Sequence, residues 1–324
     1  MSWFFFALIC ILGWGFADLF YKKGTDETDK MSHLKIAVWV GITMGVVSLV
    51  LIPFSESQMD FVSLFVNAGK YSPASLAYIL SMVIGYAGLR YIELSIISPV
   101  QNSSGALSMI AMVVFFAIAG QGDALAETFG VLDIIGTSII IVGVIALAVV
   151  EQRISKEEIK PELAAETKKY RFGALALLFP ILYCVFDTIG TAADGIILDE
   201  EVGLGLGEID VLILYGLTFL VAGLGCWIFM LIKNKKPYNP FNLKKEWPKA
   251  TASVCEEFGQ IFYVYAMAAN PVLAAPLVSA YCIVSVLLSR IIIKEKLKLS
   301  QYICIAAVIA GIILLGISEG LAEI

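Results

Sequence analysis

The chain has 324 residues, of which 59% are hydrophobic and only 15% charged, and its mean hydropathy is +0.88. Soluble domains are about 45–50% apolar and about 25% charged, so this composition excludes a soluble enzyme and a disordered chain. The formal net charge of −6 excludes a nucleic-acid binder, because no general basic surface is available for phosphates. An integral membrane protein remains.

Ten segments are apolar and long enough to span a bilayer as helices, which takes roughly 20 residues each. In chain order these spans are 3–21, 34–53, 73–93, 96–119, 129–150, 172–193, 209–232, 249–268, 272–293 and 299–318. Prolines at several of the predicted ends fit helix boundaries, namely Pro53, Pro73, Pro248 and Pro271. The first segment lacks a basic leader and a small-residue cleavage site, so we expect a span there and not a removable signal peptide.

The basic residues predict the orientation of these spans. All of the 22 Lys and Arg residues except Lys70 fall in connections that lie on one side of the membrane. The positive-inside rule places that side in the cytoplasm and both termini outside, in a plasma or inner membrane. The acidic stretch from Asp194 to Asp210 then lies outside, where we expect a solvated loop, with a cation-attracting vestibule as the alternative.

Weak internal similarity indicates a duplication. An aromatic residue precedes an aspartate by four positions in span 1 (Trp14 and Asp18) and again in span 6 (Tyr183 and Asp187). A proline near the start of span 4 corresponds to one in span 9, Pro99 and Pro276. Each match is short, but all of them occur in the same chain order in both halves.

Two halves of five spans each would form an inverted repeat. Five is an odd number, so the second half enters the membrane from the opposite side, as in many secondary transporters. The predicted fold is therefore an all-α integral membrane protein with ten transmembrane helices as two inverted five-helix repeats. The first repeat covers 1–150, a charged cytoplasmic linker covers 151–171, and the second repeat covers 172–324.

Over about residues 1–318 the chain resembles the EamA-type family of the drug/metabolite transporter superfamily. The resemblance rests on Trp14-Gly15, on the proline-containing starts of spans 4 and 9, and above all on the turn at 294–301 that leads to Gly311. Lys294 stands where the family usually has Gly. The resemblance implies a ten-helix transporter that moves amino acids, metabolites or toxic organic compounds without ATP. It also implies cytoplasmic termini, whereas the charge distribution predicts the opposite.

Span 8 holds the leading candidate for an ion or substrate site. An ionisable group inside a span is costly, about +2.5–3.5 kcal/mol at the helix centre. Glu256 lies eight residues after Pro248, or about 12 Å along a helix, and shares one helical face with Gln260 and Tyr263. We hypothesise that Glu256 faces a central cavity and binds a proton or cation; a structural glutamate bonded to a neighbouring helix is the alternative. Glu257 points about 100° away and is expected to be structural.

Two aspartates are further candidates. Asp18 and Asp187 occupy corresponding positions in the two halves, so an inverted repeat would place them at opposite gates. For Asp18 the alternative is an ion pair with Lys22 at a spacing of four residues.

Span 4 opens with an unusually polar sequence. Gln101, Asn102 and Ser103 either hydrogen-bond a polar substrate or bond neighbouring helices. Aromatic candidates that could border a substrate are Trp14, Tyr86, Tyr183, Tyr263 and Tyr281, with core packing as the alternative use.

The function predicted from these features is secondary active transport of a small organic metabolite, such as an amino acid or drug-like compound, by alternating access. Direction and coupling to protons stay open. The alternatives are a lipid or lipid-linked-sugar flippase of the same fold, and a non-transporting membrane scaffold or receptor without a central cavity. An enzyme is not expected, because no nucleophile–base set exists, and the lone His33 and six dispersed cysteines form no metal motif. The expected partners are a small-molecule substrate and the lipid bilayer, with protons as a candidate coupling ion. No cofactor, metal or nucleic acid is expected. The sequence leaves both a monomer and a homodimer open.

Overall fold

The computed structural model describes residues 2–57, 60–92, 94–122, 129–158, 178–233, 238–294 and 297–322. Every regular element in these ranges is helical. The helices are α1 (Trp3–Gly24), α2 (Ser32–Leu51), α3 (Phe61–Gly88), α4 (Leu94–Asn102), α5 (Ser104–Ile118), α6 (Val131–Glu158), α7 (Leu178–Ile197), α8 (Glu208–Lys233), α9 (Leu243–Ala269), α10 (Pro271–Val278), α11 (Tyr281–Leu288) and α12 (Leu299–Ala322). The predicted linker lies outside the described residues from 159 onward.

Eight helical segments in the described ranges are long and apolar enough to cross a membrane. The other two predicted spans, the third and the eighth, are the long helices α3 and α9, which fall short of that apolar standard. Their polar residues explain this, because α9 carries Glu256 and Glu257, and the membrane-length part of α3 after Lys70 holds three Ser and three Tyr residues. Large apolar side chains cover the outside of the molecule, with Ile118 and Ile232 more than four-fifths exposed, as expected of a surface that faces lipid.

Two of the predicted proline boundaries are wrong. Pro73 and Pro248 lie inside α3 and α9, which begin well before them, at Phe61 and Leu243. The start of α3 is set by Asp60, whose carboxylate accepts a hydrogen bond from Ser63 N at 2.7 Å. Such a cap satisfies a free main-chain N–H group at the helix start. The helix can therefore begin here without a proline in its first turn.

The fourth and ninth predicted spans are each broken into two helices about a third of the way along. The first break follows Pro99 and separates α4 from α5; the second follows Pro276 and separates α10 from α11. A serine at each break donates its hydroxyl proton to the proline carbonyl, from Ser103 at 3.2 Å and from Ser279 at 2.7 Å. Such side-chain bonds compensate for main-chain bonds that a proline disrupts.

The helices pack in pairs that join the two halves of the chain. α1 packs on α9, α2 on α8, α3 on α7, and α6 on α12. The broken helices also meet, since α5 contacts α10 and α4 contacts α11. Every long helix of the first half therefore has its main partner in the second half.

The prediction of a solvated acidic loop is wrong for both of its end residues. α7 continues to Ile197 and carries Asp194 into the interior, where it is fully buried and accepts a hydrogen bond from Tyr71 Oη at 2.7 Å. Asp210 is also fully buried, in the first turn of α8. Its carboxylate accepts hydrogen bonds from Ser55 Oγ at 2.6 Å and from the main-chain N–H groups of Glu56 and Ser57 at 3.1 Å each. Asp210 therefore holds the loop after α2 in place.

Candidate functional site

A cavity lies at the centre of the bundle, and both halves of the chain line it. It encloses about 830 Å³ of space outside atoms, part of it open to solvent, and about 60 Å³ of this admits the centre of a water-sized molecule. Since one water needs roughly 10–15 Å³ by that measure, the present free space suits a small molecule or a few waters. Its polar, non-aromatic lining side chains are Asp18, Gln101, Asn102, Ser104, Asp187, Thr191, Glu256, Gln260 and Ser279.

All but one of the residues proposed from the sequence line this cavity. They come from α1, α3, α4, α7, α9 and α11, and they are Trp14, Asp18, Tyr86, Gln101, Asn102, Tyr183, Asp187, Glu256, Gln260, Tyr263 and Tyr281. The exception is Ser103, which lies between α4 and α5 and donates its hydroxyl proton to Pro99 O. Glu257 is buried but is not among the lining residues.

Asp18 of α1 accepts hydrogen bonds from both broken segments. Ser98 Oγ in α4 donates at 2.6 Å and Ser285 Oγ in α11 donates at 2.7 Å, both to Oδ2. The alternative of an ion pair with Lys22 is not what the structure describes, because Lys22 Nζ donates to the main-chain oxygens of Leu89 and Ile92 at 2.7 and 2.9 Å.

Asp187 of α7 has a matching environment in the other half. Ser104 Oγ, at the start of α5, donates to its Oδ2 at 2.6 Å, and Tyr183 lies one turn earlier on the same helix. The two aspartates therefore contact the two broken segments through serine hydroxyls. These donors orient the carboxylates without neutralising them.

Glu256 and Gln260 project from α9 into the same cavity. The charged groups that act on Glu256 are other carboxylates, Asp18, Glu257 and Asp187. The Nε2 atom of Gln260 is buried and has no hydrogen-bond partner in the described part of the chain. Buried polar groups normally find partners, so this amide is available to a ligand.

Aromatic rings form most of the remaining wall. The eight lining rings are those of Trp14, Tyr21, Tyr78, Tyr86, Tyr183, Tyr215, Tyr263 and Tyr281. The Trp14 ring lies 5.0 Å from that of Tyr263 and 5.6 Å from that of Tyr281, measured between centroids. Its Nε1 donates to the Glu256 main-chain oxygen at 3.2 Å. Gly259 makes this approach possible, because a Cβ atom there would lie only 2.3 Å from Trp14 Cδ1.

A hydrogen-bonded tyrosine pair closes one side of the cavity. Tyr78 Oη of α3 and Tyr263 Oη of α9 share a hydrogen bond of 2.7 Å, and Tyr78 Oη also donates to Thr191 Oγ1 at 3.1 Å. The pair links helices from different halves of the chain. A change in the distance between α3 and α9 would have to break it.

Sequence reasoning missed several lining residues. Tyr78 and Met82 precede the predicted Tyr86 at four-residue spacing on the cavity side of α3, and this helical stripe was a usable signal. Tyr215 of α8 offered no such signal, because a single tyrosine in an apolar helix does not identify which face it occupies. Ser104 and Ser279 become lining residues only through the breaks in their helices.

The comparison with protein families finds a match within the second half of the chain. Residues 202–317 match the EamA-like transporter family. The predicted resemblance to EamA-type proteins of the drug/metabolite transporter superfamily is thereby confirmed. EamA-like proteins are membrane transporters, and the match over this part of the chain indicates a membrane transporter of that type.

The structural comparison extends the likeness beyond the EamA segment. One of 16 matching solved chains is a crystal structure that superposes with a TM-score of 0.56 at 13% sequence identity, over 96% of this chain and 95% of that one. At this identity the match shows a shared fold. No curated protein matches the sequence.

Proposed function

We propose that this EamA-like protein is a secondary transporter that moves a small organic molecule through the central cavity by alternating access. The observation that carries the proposal is the polar cavity, which residues of both halves line at the point where both broken helices meet. Transporters commonly bind their substrates at such a position, between two repeats and beside discontinuous helices.

The pairing of helices supports two inverted five-helix repeats, over 1–150 and 172–324. When the ten predicted spans are numbered in chain order, the main contacts join 1 with 8, 2 with 7, 3 with 6, 4 with 9 and 5 with 10. Exchanging each span with the one five positions away turns this set of contacts into itself. A two-fold relation between the halves has that property.

Close contacts between α2 and α8 support the same relation. A Cβ atom on Gly41 would meet Gly223 Cα at 2.9 Å, and one on Gly216 would meet Ser48 Oγ at 2.0 Å. Aligning Gly41 with Gly216 aligns Ser48 with Gly223, so each contact is the counterpart of the other. The local sequences agree, since Gly-Ile-Thr begins at Gly41 and Gly-Leu-Thr begins at Gly216.

The contacts between α6 and α12 follow the same pattern. A Cβ on Gly136 would lie 3.0 Å from Gly311 O, and a Cβ on Gly143 would lie 3.6 Å from Cys304 O. Aligning Gly143 with Gly311 also aligns Gly136 with Cys304. This correspondence supports an inverted repeat for this pair of helices as well.

The cavity favours a water-soluble substrate over a lipid. A flippase needs room for acyl chains, whereas the free space here is small and has carboxylate, amide and hydroxyl groups on its wall. A scaffold or receptor without transport would pack Glu256 against protein, and Glu256 instead lines the cavity.

Contacts between connecting segments rich in Lys and Arg support the placement of these segments together at one end of the helix bundle. Arg90 donates to the main-chain oxygen of Glu27 at 3.2 Å, and Lys22 reaches the connection that contains Leu89. We place this end in the cytoplasm and both termini outside. Alkaline phosphatase fused to the C-terminus tests the assignment, because it should be active there; a fluorescent cytoplasmic reporter at the same position would contradict it.

The transport test begins with a ligand and ends with uptake. Amino acids, nucleosides, sugars and amines are screened for a rise in the melting temperature of the detergent-purified protein. Uptake of each hit into proteoliposomes is then compared for the unmodified protein, Glu256→Gln and Glu257→Gln. We expect uptake to fall at least about tenfold in Glu256→Gln and to persist in Glu257→Gln, an adjacent buried carboxylate that does not line the cavity. Hits that bind but are never carried across the bilayer would overturn the proposal.

A further inference from the structure

The cavity wall carries carboxyl groups without any basic side chain among its described lining residues. Three carboxylates line it, those of Asp18, Asp187 and Glu256, and its described lining residues include no Lys, Arg or His. The groups that act electrostatically on Glu256 are carboxylates as well. An isolated buried charge is costly, so these groups call for protons or for a positively charged partner.

The described partners of the aspartates leave that need unmet. Asp18 and Asp187 accept hydrogen bonds from hydroxyl groups of Ser98, Ser285 and Ser104. A hydroxyl group satisfies a lone pair and fixes the direction of the carboxylate, but it adds no positive charge. The cavity is thus prepared electrostatically for a cation and holds none among its own side chains.

The aromatic wall has the complementary property. The face of an aromatic ring attracts cations, most strongly when water is excluded, and indole is the strongest of the natural rings. The Trp14 ring neighbours the rings of Tyr263 and Tyr281, and its Nε1 donates a hydrogen bond to the main-chain oxygen of Glu256. A cation beside Trp14 would meet ring faces and carboxylates together.

We propose that the transported molecule is a small organic cation, with an amine or ammonium group bound among Asp18, Asp187, Glu256 and the surrounding rings. This inference rests on the proposed transport function and names its substrate class. The buried, unpartnered Nε2 of Gln260 donates a hydrogen bond to an oxygen elsewhere on the same molecule. An anion would face three carboxylates without a cationic partner, and the small free space excludes large dyes.

Matched pairs of probes test the role of charge. Choline is compared with its neutral isostere, in which carbon replaces the ammonium nitrogen, and propylamine is compared with propanol; butanoate represents anions. Dissociation constants are measured by calorimetry on the purified full chain. We expect at least one cation to bind about tenfold more tightly than its neutral counterpart, and butanoate not to bind. The preference should disappear in Glu256→Gln and remain in Glu257→Gln, with the melting temperature of each variant showing that it is folded.

The possible results separate this inference from the proposed function. If neither cation binds more tightly than its neutral counterpart, the inference is wrong. Binding and uptake of neutral or anionic solutes that depend on Glu256 would also overturn it, while supporting transport through the cavity. If no solute of any charge binds, both the inference and the proposed function are contradicted.

Discussion

Lys294 lies in the left-handed region of the backbone map, with φ of 66° and ψ of 29°. It is the one non-glycine residue with positive φ in the described ranges, and it ends the π-helical turn Ser289–Ile293. Members of the EamA-type family usually have Gly in this turn, which suits the conformation because Gly has no Cβ. The departure from the family pattern noted in the sequence therefore coincides with local strain, which costs about 1–2 kcal/mol for an ordinary side chain.

Replacing this residue tests the strain directly. Lys294→Gly should raise the free energy of unfolding by about 1 kcal/mol, since the strain is removed and part of the gain is lost to chain entropy. Lys294→Ala keeps the Cβ atom and should change stability by less than about 0.5 kcal/mol. Reversible unfolding in mixed detergent micelles measures both. Equal stabilisation by Gly and Ala would mean that the lysine side chain, and not the backbone, is responsible.

Individual site residues could be predicted where their chemistry conflicts with a membrane. Asp18, Asp187 and Glu256 stood out because a carboxylate in an apolar helix needs a reason, and all three line the cavity. Tyr78 and Tyr215 did not stand out, because tyrosine is common in cores and along membrane helices. Asp194 was misplaced because its charge suggested a loop, whereas Tyr71 provides a buried donor that no local pattern reveals.

At the scale of helices, small residues determine how closely α2 and α8 approach. A Cβ atom on Gly41 would lie 2.5 Å from Phe219 O and 2.9 Å from Gly223 Cα. Backbone atoms occupy that space, so a rotamer change cannot relieve the clash. Close packing of this kind is a main source of helix association in membranes, because burying apolar surface contributes little free energy in lipid.

Gly41→Ala is therefore expected to destabilise the protein by about 1–3 kcal/mol, even though Ala is the better helix former. Gly225 of α8 is the matched control, because nothing lies within 4 Å of a Cβ atom placed there. Gly225→Ala should be neutral or stabilise by up to about 1 kcal/mol. The same detergent titration compares the two, and similar losses at both positions would exclude packing as the cause.

The elements were predictable to different degrees. The eight apolar, membrane-length helices of the described ranges followed from runs of apolar residues, because only helices satisfy the backbone in lipid. The ends of the helices were less predictable. Pro73 was expected to mark the start of α3, but the helix begins earlier, after its cap Asp60. The polar run beside Pro99 indicated a cavity-lining segment, but it did not predict the break after it, where α4 and α5 contact α11 and α10 from the far end of the sequence.

At the scale of the whole molecule, the cavity depends on both halves at once. Asp18 of the first half accepts a hydrogen bond from Ser285 of the second, and Tyr78 and Tyr263 bridge the halves on another side. A rocking motion of one half against the other would change these contacts together. In the proposed alternating-access mechanism, these contacts would change as the cavity opens to one side of the membrane or the other.

Access to a single cysteine in the cavity tests alternating access most directly, and it needs no known substrate. Ser279→Cys lines the cavity, Val221→Cys on α8 faces outward with 71% of its side chain exposed, and the parent chain with its native thiols gives the background. Each is treated with a small membrane-impermeant methanethiosulfonate in right-side-out and in inside-out vesicles. We expect Ser279→Cys to react from both sides and Val221→Cys from neither. Reaction of Ser279→Cys from one side only, or from neither, would contradict a transporter that opens its central cavity alternately to the two sides of the membrane.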